Sequence, residues 1–278
     1  MVLKSYSKVN LTLKVNSKLL KGLHEIQSLY CWINLFDKIE INKTKKKKDK
    51  IIFKGPFSKL VKRRNNSVNI LLKKLRELNL ISNYYSVIIQ KNIPVFSGFG
   101  GGTSNAAFIF KYLLKSKINN SIITKFNNII GSDFKLFFAK QGFLENLQTV
   151  IEFKKKQKFY FVLVKPRIKC STRDIYSNVS KFSKKEKISE NLINTKNKYL
   201  EYLFKNRNDL QLIVERKYPS IKKLLADIKN EKGCYFARMT GSGSVCYGLF
   251  KDQINAKKGL IKLKKKYPRF WFSLSKTV

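Results

Sequence analysis

The stretch Pro94–Ala107, PVFSGFGGGTSNAA, holds four glycines, three of them consecutive, and no charged residue; Lys91 and Lys111 are the nearest charges on either side. Adjacent glycines let the backbone adopt conformations closed to other residues and approach a ligand closely. The segment follows a strand-like run and leads into an apolar run of helical length. Its glycines therefore feed a helix whose first N–H groups lack intrahelical partners. Such a start is an anion cradle of amides and helix dipole, to which Thr103 or Ser104 adds a hydroxyl. Fixed amides need no lysine, which explains a neutral segment in a cationic chain. The competing reading is a tight strand-to-helix turn whose glycines only permit close packing. No Lys-Ser/Thr pair closes a Walker A loop, and Thr103 holds the last position of the GxGxxG pattern begun by Gly98 and Gly100. Protein-kinase glycine loops join two strands, whereas this one enters a helix.

Other residues capable of chemistry are few. Asp133 is the only acidic residue between Glu77 and Glu145 and precedes the apolar run FKLFF. A carboxylate in such surroundings needs a partner or a shifted pKa, so it reads either as a catalytic base or as a helix N-cap after Gly131. Lys8 lies on the polar face of an alternating segment, as a solvated lysine or as a cation for a site. His24 is the only histidine. Gly241, Ser242 and Gly243, after Thr240, sit between two strand-like runs as a hairpin turn or as a backbone wall beside a ligand.

Positioning these residues requires a mixed fold. Residues 6–15 alternate strictly, with Val9, Leu11, Leu13 and Val15 on one face and Lys8, Asn10, Thr12 and Lys14 on the other, which predicts a half-buried strand. LHEIQSLYCWINLF and DKIEINKT read as further strands. KIIFKG is expected to complete a hairpin around the run Lys43–Lys50. Asn66 caps a predicted helix to about Leu78 with Val68, Leu71, Leu72 and Leu75 inward. YYSVIIQK is a strand, SNAAFIFKYLLK a buried helix, and helical segments continue to about Ile130. GSDFKLFFAKQGFL leads toward a strand. After KFYFVLVKP come helices from about Glu190 to Lys229, then CYFARMTGSGSVCYGLF as strand–turn–strand, a basic helix DQINAKKGLIKLKKKY and a last strand FWFSLSK. The second block suggests a small α+β sandwich. EFKKKQK marks a boundary near 150–158, giving expected domains 1–152 and 158–278.

Composition bounds the rest. The 278 residues carry 59 Lys plus Arg against 17 Asp plus Glu, a formal charge of +42, with 43% hydrophobic and 13% aromatic residues. That is core enough for folded domains. The basic residues are scattered from Lys4 to Lys276, and richness in Asn, Ile, Lys and Phe is what an AT-rich coding sequence produces. Solvated surface is thus favoured over a nucleic-acid footprint, with incidental polyanion affinity at low salt. Cys31, Cys170, Cys234 and Cys246 form no CxxC pair and with one histidine complete no zinc site, so buried reduced thiols are expected. No secretory leader and no run of about 18 uncharged apolar residues is visible. The expectation is a cytoplasmic protein, monomeric or a weak homodimer, acting on a small molecule, with no specific nucleic acid and no membrane partner.

Taken together, IPVFSGFGGGTSNAA resembles the second motif of the GHMP kinases, small-molecule kinases that use this loop for ATP. SKVNLTLKV resembles their first motif, MTGSGSVCYGLF their third, and GSDFKLFF the segment bearing the catalytic aspartate. The order is the family's, and the likeness spans essentially the whole chain. GLHEIQSLY, Gly22–Tyr30, resembles the Gly-Tyr-His-Glu-Leu-Gln stretch of the branch that phosphorylates the 2-hydroxyl of a cytidine-diphosphate-linked sugar alcohol in the non-mevalonate isoprenoid pathway. The resemblance implies an N-terminal domain like ribosomal protein S5 domain 2, a ferredoxin-like C-terminal domain and a cleft between them. It implies Asp133 as base and Lys8 as the cation that keeps Asp133 ionised. Pro94, Gly98, Phe99, Gly100, Gly101, Gly102, Thr103 and Ser104 would bind ATP, with Asn66 and Lys91 near the nucleotide. Asn10, His24, Thr172, Thr240, Gly241, Ser242 and Gly243 would meet the substrate, His24 at the cytosine edge. Mg²⁺ would come with ATP, held mainly by phosphates and water.

The chain departs from the pattern in places. The tyrosine expected to stack on the base is Leu23, for which Tyr30 or Trp32 is a candidate replacement. Asp-Val-Pro reads Asp133-Phe134-Lys135, two early glycines of the second motif read Phe96 and Ser97, and LENLQTVIEF lacks the glycines of its counterpart. Other GHMP kinases, of homoserine or mevalonate type, are the alternative that GLHEIQ argues against. A basic nucleic-acid-binding protein on this fold rests on charge alone.

Overall fold

In a computed structural model that describes residues 1–188 and 195–278, the alternating N-terminal segment forms two strands rather than one, β1 (Val2–Asn10) and β2 (Lys14–Lys18). The break has a local cause. Leu13 pairs its backbone with Arg207 and Asp209, and Leu11 N and Thr12 N both donate to Leu29 O. Nor is the segment half-buried: Ser7 to Leu13 are all buried, polar and apolar alike. The polar side chains face partners rather than water, as buried polar groups must.

The chain gathers into two compact units. The first comprises Met1–Lys8, Leu35–Val95 and Gly100–Phe138. Its sheet pairs β3 (His24–Thr44) with β5 (Tyr84–Gln90) antiparallel, and β5 with β4 (Lys50–Lys54) parallel. The predicted hairpin around the lysine run is therefore not formed. β5 lies between β3 and β4, because the chain from β4 crosses over through a helix, α1 (Ser67–Glu77), and returns parallel. Lys45 to Lys48 remain exposed at the connection. Asn66 caps α1 by accepting from Val68 N and Asn69 N at 3.1 Å each, and Val68, Leu71, Leu72 and Leu75 are buried, as the periodicity predicts. α2 (Gly101–Leu114) buries seven side-chain positions, Ser104, Asn105, Ala106, Ala107, Ile109, Phe110 and Leu114, and packs on α1. Next come α3 (Asn120–Ile130) and a three-ten turn, Phe134–Phe137, whose Phe134 ring clusters with Phe110 and Phe126.

The second unit comprises Val9–Asn34, Phe96–Phe99 and Ala139–Val278. Here β2 pairs with the start of β3, and β6 (Gln141–Asn146) pairs with both β3 and β7 (Thr149–Glu152). The glycine-poor LENLQTVIEF segment is thus a hairpin. A separate antiparallel sheet runs β11 (Trp271–Lys276), β8 (Tyr160–Lys165), β10 (Cys246–Phe250), β9 (Cys234–Met239). Between β8 and β9 lie α4 (Thr172–Ser177), α5 (Lys196–Lys205), α6 (Asp209–Lys217) and α7 (Pro219–Lys229). α8 (Gln253–Lys266) precedes β11, and α7 and α8 pack on the sheet. The strand–helix–strand–strand–helix–strand order is that of a ferredoxin-like domain. The sequence reading missed α4, and the start it gave for the helical run, near Glu190, lies outside the described residues.

The four cysteines are free, and burial pushes each thiol above its usual range, Cys170 to about 11 and Cys234 to about 12. Among the described residues no helix is long and apolar enough to cross a membrane.

Candidate active site

In the first unit, Lys8 on β1 points its Nζ at Asp133 Oδ2, 3.2 Å away. The lysine side chain is 3% exposed and the carboxylate 32%, so one partner is desolvated while the other keeps a face to solvent. This decides the open reading of Lys8 and removes one reading of Asp133. Lys8 is not a solvated surface lysine. Asp133 stands at the N-terminal position of the three-ten turn, but its side chain caps no amide there. The carboxylate is thus held by Lys8 without being taken up as a helix cap.

The glycine loop comes to the same carboxylate. Gly100 is left-handed, with φ +69°, and is the cap residue just before α2. A Cβ there would lie 3.3 Å from Asp133 Oδ2 and 3.0 Å from the Phe137 ring. A side chain at Gly100 would thus be strained in its backbone and pressed against the Asp133 carboxylate. No side chain caps α2, so the first-turn amides from Gly101 to Thr103 are an uncapped donor set with the dipole behind them. Gly102 is exposed, and a Cβ on it would meet only Ser67 Oγ at 3.5 Å. These are the properties a phosphate cradle needs.

Not every residue of the motif faces a ligand. Ser104 is buried: its hydroxyl donates to Tyr6 O at 2.5 Å and meets Ser5 Oγ at 2.7 Å, while its amide donates to Gly100 O. It ties α2 to β1. Phe99 and Pro94 are buried as well. Lys91 stands at the loop, its Nζ 3.5 Å from where a Cβ on Gly101 would lie. It is 3% exposed and ion-paired to the fully buried Asp37, and it also donates to Asn105 Oδ1 at 3.2 Å. Asp37 further accepts from Asn92 N, Ile93 N and Asn105 Nδ2 at 2.7–2.9 Å. Lys91 is therefore a strut beneath the loop, and Asp37 and Asn105, its partners, were missed by the sequence reading. Asn66 is committed as a helix cap, described above.

In the second unit, β9 and β10 hold the glycine turn, with Cys246 paired to Met239. Gly243 N donates to Thr240 O at 3.1 Å, and Gly241 O accepts from Asn208 Nδ2 at 2.8 Å. Gly98, with φ +76°, presses on this turn so closely that a Cβ would fall 2.2 Å from Thr240 O. Asn10 donates its amide to Thr240 Oγ1 at 3.0 Å and its Nδ2 to Ser28 Oγ at 2.8 Å. It braces the turn from below. Ser242 Oγ and Thr172 Oγ1 lie 2.9 Å apart, bringing together two residues far apart in sequence.

His24, 8% exposed, lies beside two rings the sequence reading did not single out: Tyr176, centroids 5.1 Å apart, and Phe182, 6.5 Å. Burial, then the Lys18 charge, pushes its imidazole below the usual value, so the ring is neutral at pH 7 and has an acceptor nitrogen to offer. Tyr30 is fully buried and Trp32 only 6% exposed, so neither replaces the ring lost at Leu23. Phe182, 46% exposed, and Leu23, 58% exposed, offer open apolar surface near the histidine. Tyr176 lies on α4, which carries no motif. Among the described residues no group of three or more His, Cys, Asp or Glu side chains is gathered for a metal ion.

The family model described as GHMP kinases C terminal matches residues 187–269. Over 99% of this chain, and 98% of the other, the sequence is 37% identical to the 4-diphosphocytidyl-2-C-methyl-D-erythritol kinase of Pelagibacter ubique. The chain belongs to the 4-diphosphocytidyl-2-C-methyl-D-erythritol kinases. A second member of that family, from Wolbachia pipientis wMel, is 31% identical over 96% of this chain and 95% of its own. The fold agrees: a crystal structure of 4-(cytidine 5'-diphospho)-2C-methyl-D-erythritol kinase superposes with a TM-score of 0.76 at 20% identity, covering 100% of both chains. Membership of this kinase family disfavours the homoserine and mevalonate alternatives and the nucleic-acid reading of the charge.

Proposed function

We propose that the chain transfers the γ-phosphoryl group of ATP to the 2-hydroxyl of 4-diphosphocytidyl-2-C-methyl-D-erythritol, in the non-mevalonate (methylerythritol phosphate) isoprenoid pathway. The observation that carries the mechanism is the Lys8–Asp133 pair with Gly100 packed against its carboxylate. Phosphoryl transfer is mostly positioning and charge stabilisation. Asp133 accepts the hydroxyl proton as the oxygen bonds to the γ-phosphorus and the bond to the bridging oxygen of ADP breaks. Lys8, buried against Asp133, offsets charge developing on the oxygen. The first-turn amides of α2, with the Thr103 hydroxyl, hold the phosphates. Mg²⁺ arrives with the nucleotide.

On the acceptor side, His24 hydrogen-bonds the cytosine edge, and Tyr176 and Phe182 supply the aromatic surface absent at Leu23. Thr172 and Ser242 hydroxyls and the backbone of Gly241 and Gly243 meet the remainder, with Asn10 and Thr240 setting the turn. We assign domains 1–152 and 158–278, a cytoplasmic location, a monomer or weak homodimer, and no specific nucleic-acid partner.

The test is ADP release from purified protein given ATP, Mg²⁺ and, in separate reactions, the cytidine substrate, homoserine and mevalonate. Turnover is expected with the first alone. No turnover with it, alongside duplex binding that persists at about 200 mM salt, overturns the proposal.

A further inference from the structure

Lys111 lies in the last turn of α2 and differs from most lysines of this chain. Its Nζ donates to the carbonyl of Phe137 at 2.8 Å and stands 3.9 Å from the centroid of the Phe108 ring and 5.6 Å from that of Phe138. Burial pushes its amine down to about 8. An apolar side chain would fill this place without desolvating a cation; what the lysine adds is a donor.

The carbonyl it holds ends the three-ten turn that begins after Asp133. That turn, from Gly131 to Phe138, contains no proline to restrict it. Its bonds include Phe134 N to Gly131 O at 2.9 Å, Leu136 N to Asp133 O and Phe138 N to Lys135 O at 3.1 Å each, all local, and Lys135 N to Asn127 Oδ1 at 3.2 Å, which ties it to α3. The Phe137 ring reaches the place a Cβ on Gly100 would fill. α2 therefore meets the turn at both ends, with Gly100 against Phe137 and Asp133 at its start and Lys111 on Phe137 O at its finish. Phe110 sits between, edge-on to Phe134 with centroids 5.3 Å apart.

We propose that Lys111 is a positioning residue for phosphoryl transfer: by holding the Phe137 carbonyl, it fixes the turn that carries Asp133 relative to the helix that holds the nucleotide phosphates. The proposal rests on the kinase reading with Asp133 as base. It gives the half-buried amine a role that packing alone does not, since the aromatic cage would accept methionine.

The experiment compares wild type with Lys111→Met, which keeps the stem and removes the donor, and Lys111→Arg, which restores a donor. For Lys111→Met, kcat is expected to fall about tenfold or more, as misplacement of a catalytic group does. KM for ATP should stay within about threefold, with the melting temperature unchanged or raised because a partly desolvated cation is gone. Lys111→Arg should recover at least about a third of wild-type kcat. A Lys111→Met enzyme within about twofold of wild-type kcat overturns the proposal. So does a loss of kcat matched by a fall of more than about 5 °C in melting temperature, which is a packing role. If Lys111→Met does not fold, Lys111→Gln, whose amide falls short of the carbonyl, is read by the same criteria; if neither folds, the residue is structural and the proposal falls. An inactive wild-type enzyme fails differently, removing the kinase reading itself.

Discussion

Replacing Gly100 by alanine separates the loop's role in catalysis from its role in folding. The residue has φ +69°, where an L side chain costs about 1–2 kcal/mol, partly offset by the lower entropy of the unfolded alanine chain, about 0.4–1 kcal/mol. The new methyl would stand 3.0 Å from Phe137 Cζ and 3.3 Å from Asp133 Oδ2. Contacts that tight displace the neighbour by a few tenths of an ångström, and Asp133, partly exposed, yields more readily than the buried ring. The net loss of stability is about 1–2 kcal/mol, a fall of a few degrees in melting temperature by the usual scaling of about 2–4 °C per kcal/mol. The effect on turnover is larger, because the displaced group is the proposed base: kcat should fall about 10- to 100-fold. Gly102→Ala is the control. Its φ is not left-handed and its Cβ would meet only Ser67 Oγ at 3.5 Å, so stability should hold or rise by about 0.5–1 kcal/mol. Thermal melting and ADP release on both variants decide the matter. A Gly100→Ala enzyme that melts within about 1 °C of wild type and turns over within twofold would refute the placement of this loop against Asp133.

Three further outcomes follow from the same geometry. Asp133→Asn should lower kcat by about 10²–10⁴-fold with ATP affinity nearly intact; a loss of less than about tenfold, roughly 1.4 kcal/mol of barrier, means Asp133 is not the base. Asp37→Asn leaves the Lys91 ammonium buried without its counter-ion and should cost about 3–5 kcal/mol of stability by denaturant titration, against no more than about 1 if the pair is dispensable. Phe182→Ala should raise KM for the cytidine substrate severalfold while leaving KM for ATP unchanged; equal shifts in both would place the ring elsewhere than on the cytosine.

Local pattern carried much of the fold. Asn66 was legible as a cap because an amide side chain before an apolar 3.6-residue repeat has one common use, and the strands and helices around the two glycine turns follow from periodicity. Long-range pairing was not legible. KIIFKG has the composition of a hairpin arm, and nothing within it says that YYSVIIQ, some thirty residues later, will take the neighbouring place in the sheet. Lys8 shows the same limit at the site. Alternation put it correctly on the face opposite Val9, but alternation cannot tell a solvated face from one covered by another segment. Spacing left Asp133 undecided between cap and base, and the uncapped carboxylate facing Lys8 removes the cap reading. Lys91 was placed near the nucleotide by its match to the family. Its commitment to Asp37 could not be read, since the two are 54 residues apart. Tyr176 and Phe182 carry no local signal, being one aromatic each in a polar stretch.

The Asp37 carboxylate, with its four donors, bears on how this basic chain tolerates mutation. An acid-to-lysine change on an open surface alters the charge and little else. At Asp37 it would orphan two backbone amides, Asn105 and Lys91 together. Asp49, which accepts from Tyr85 N at 2.8 Å, and Asp209, which accepts from Val15 N at 2.8 Å, stand in the same position. Charge reversal should therefore be permissive over most of the surface and lethal to folding at a few acids that terminate backbone donors, so that a saturation library would show sharp intolerance at those positions within an otherwise indulgent background.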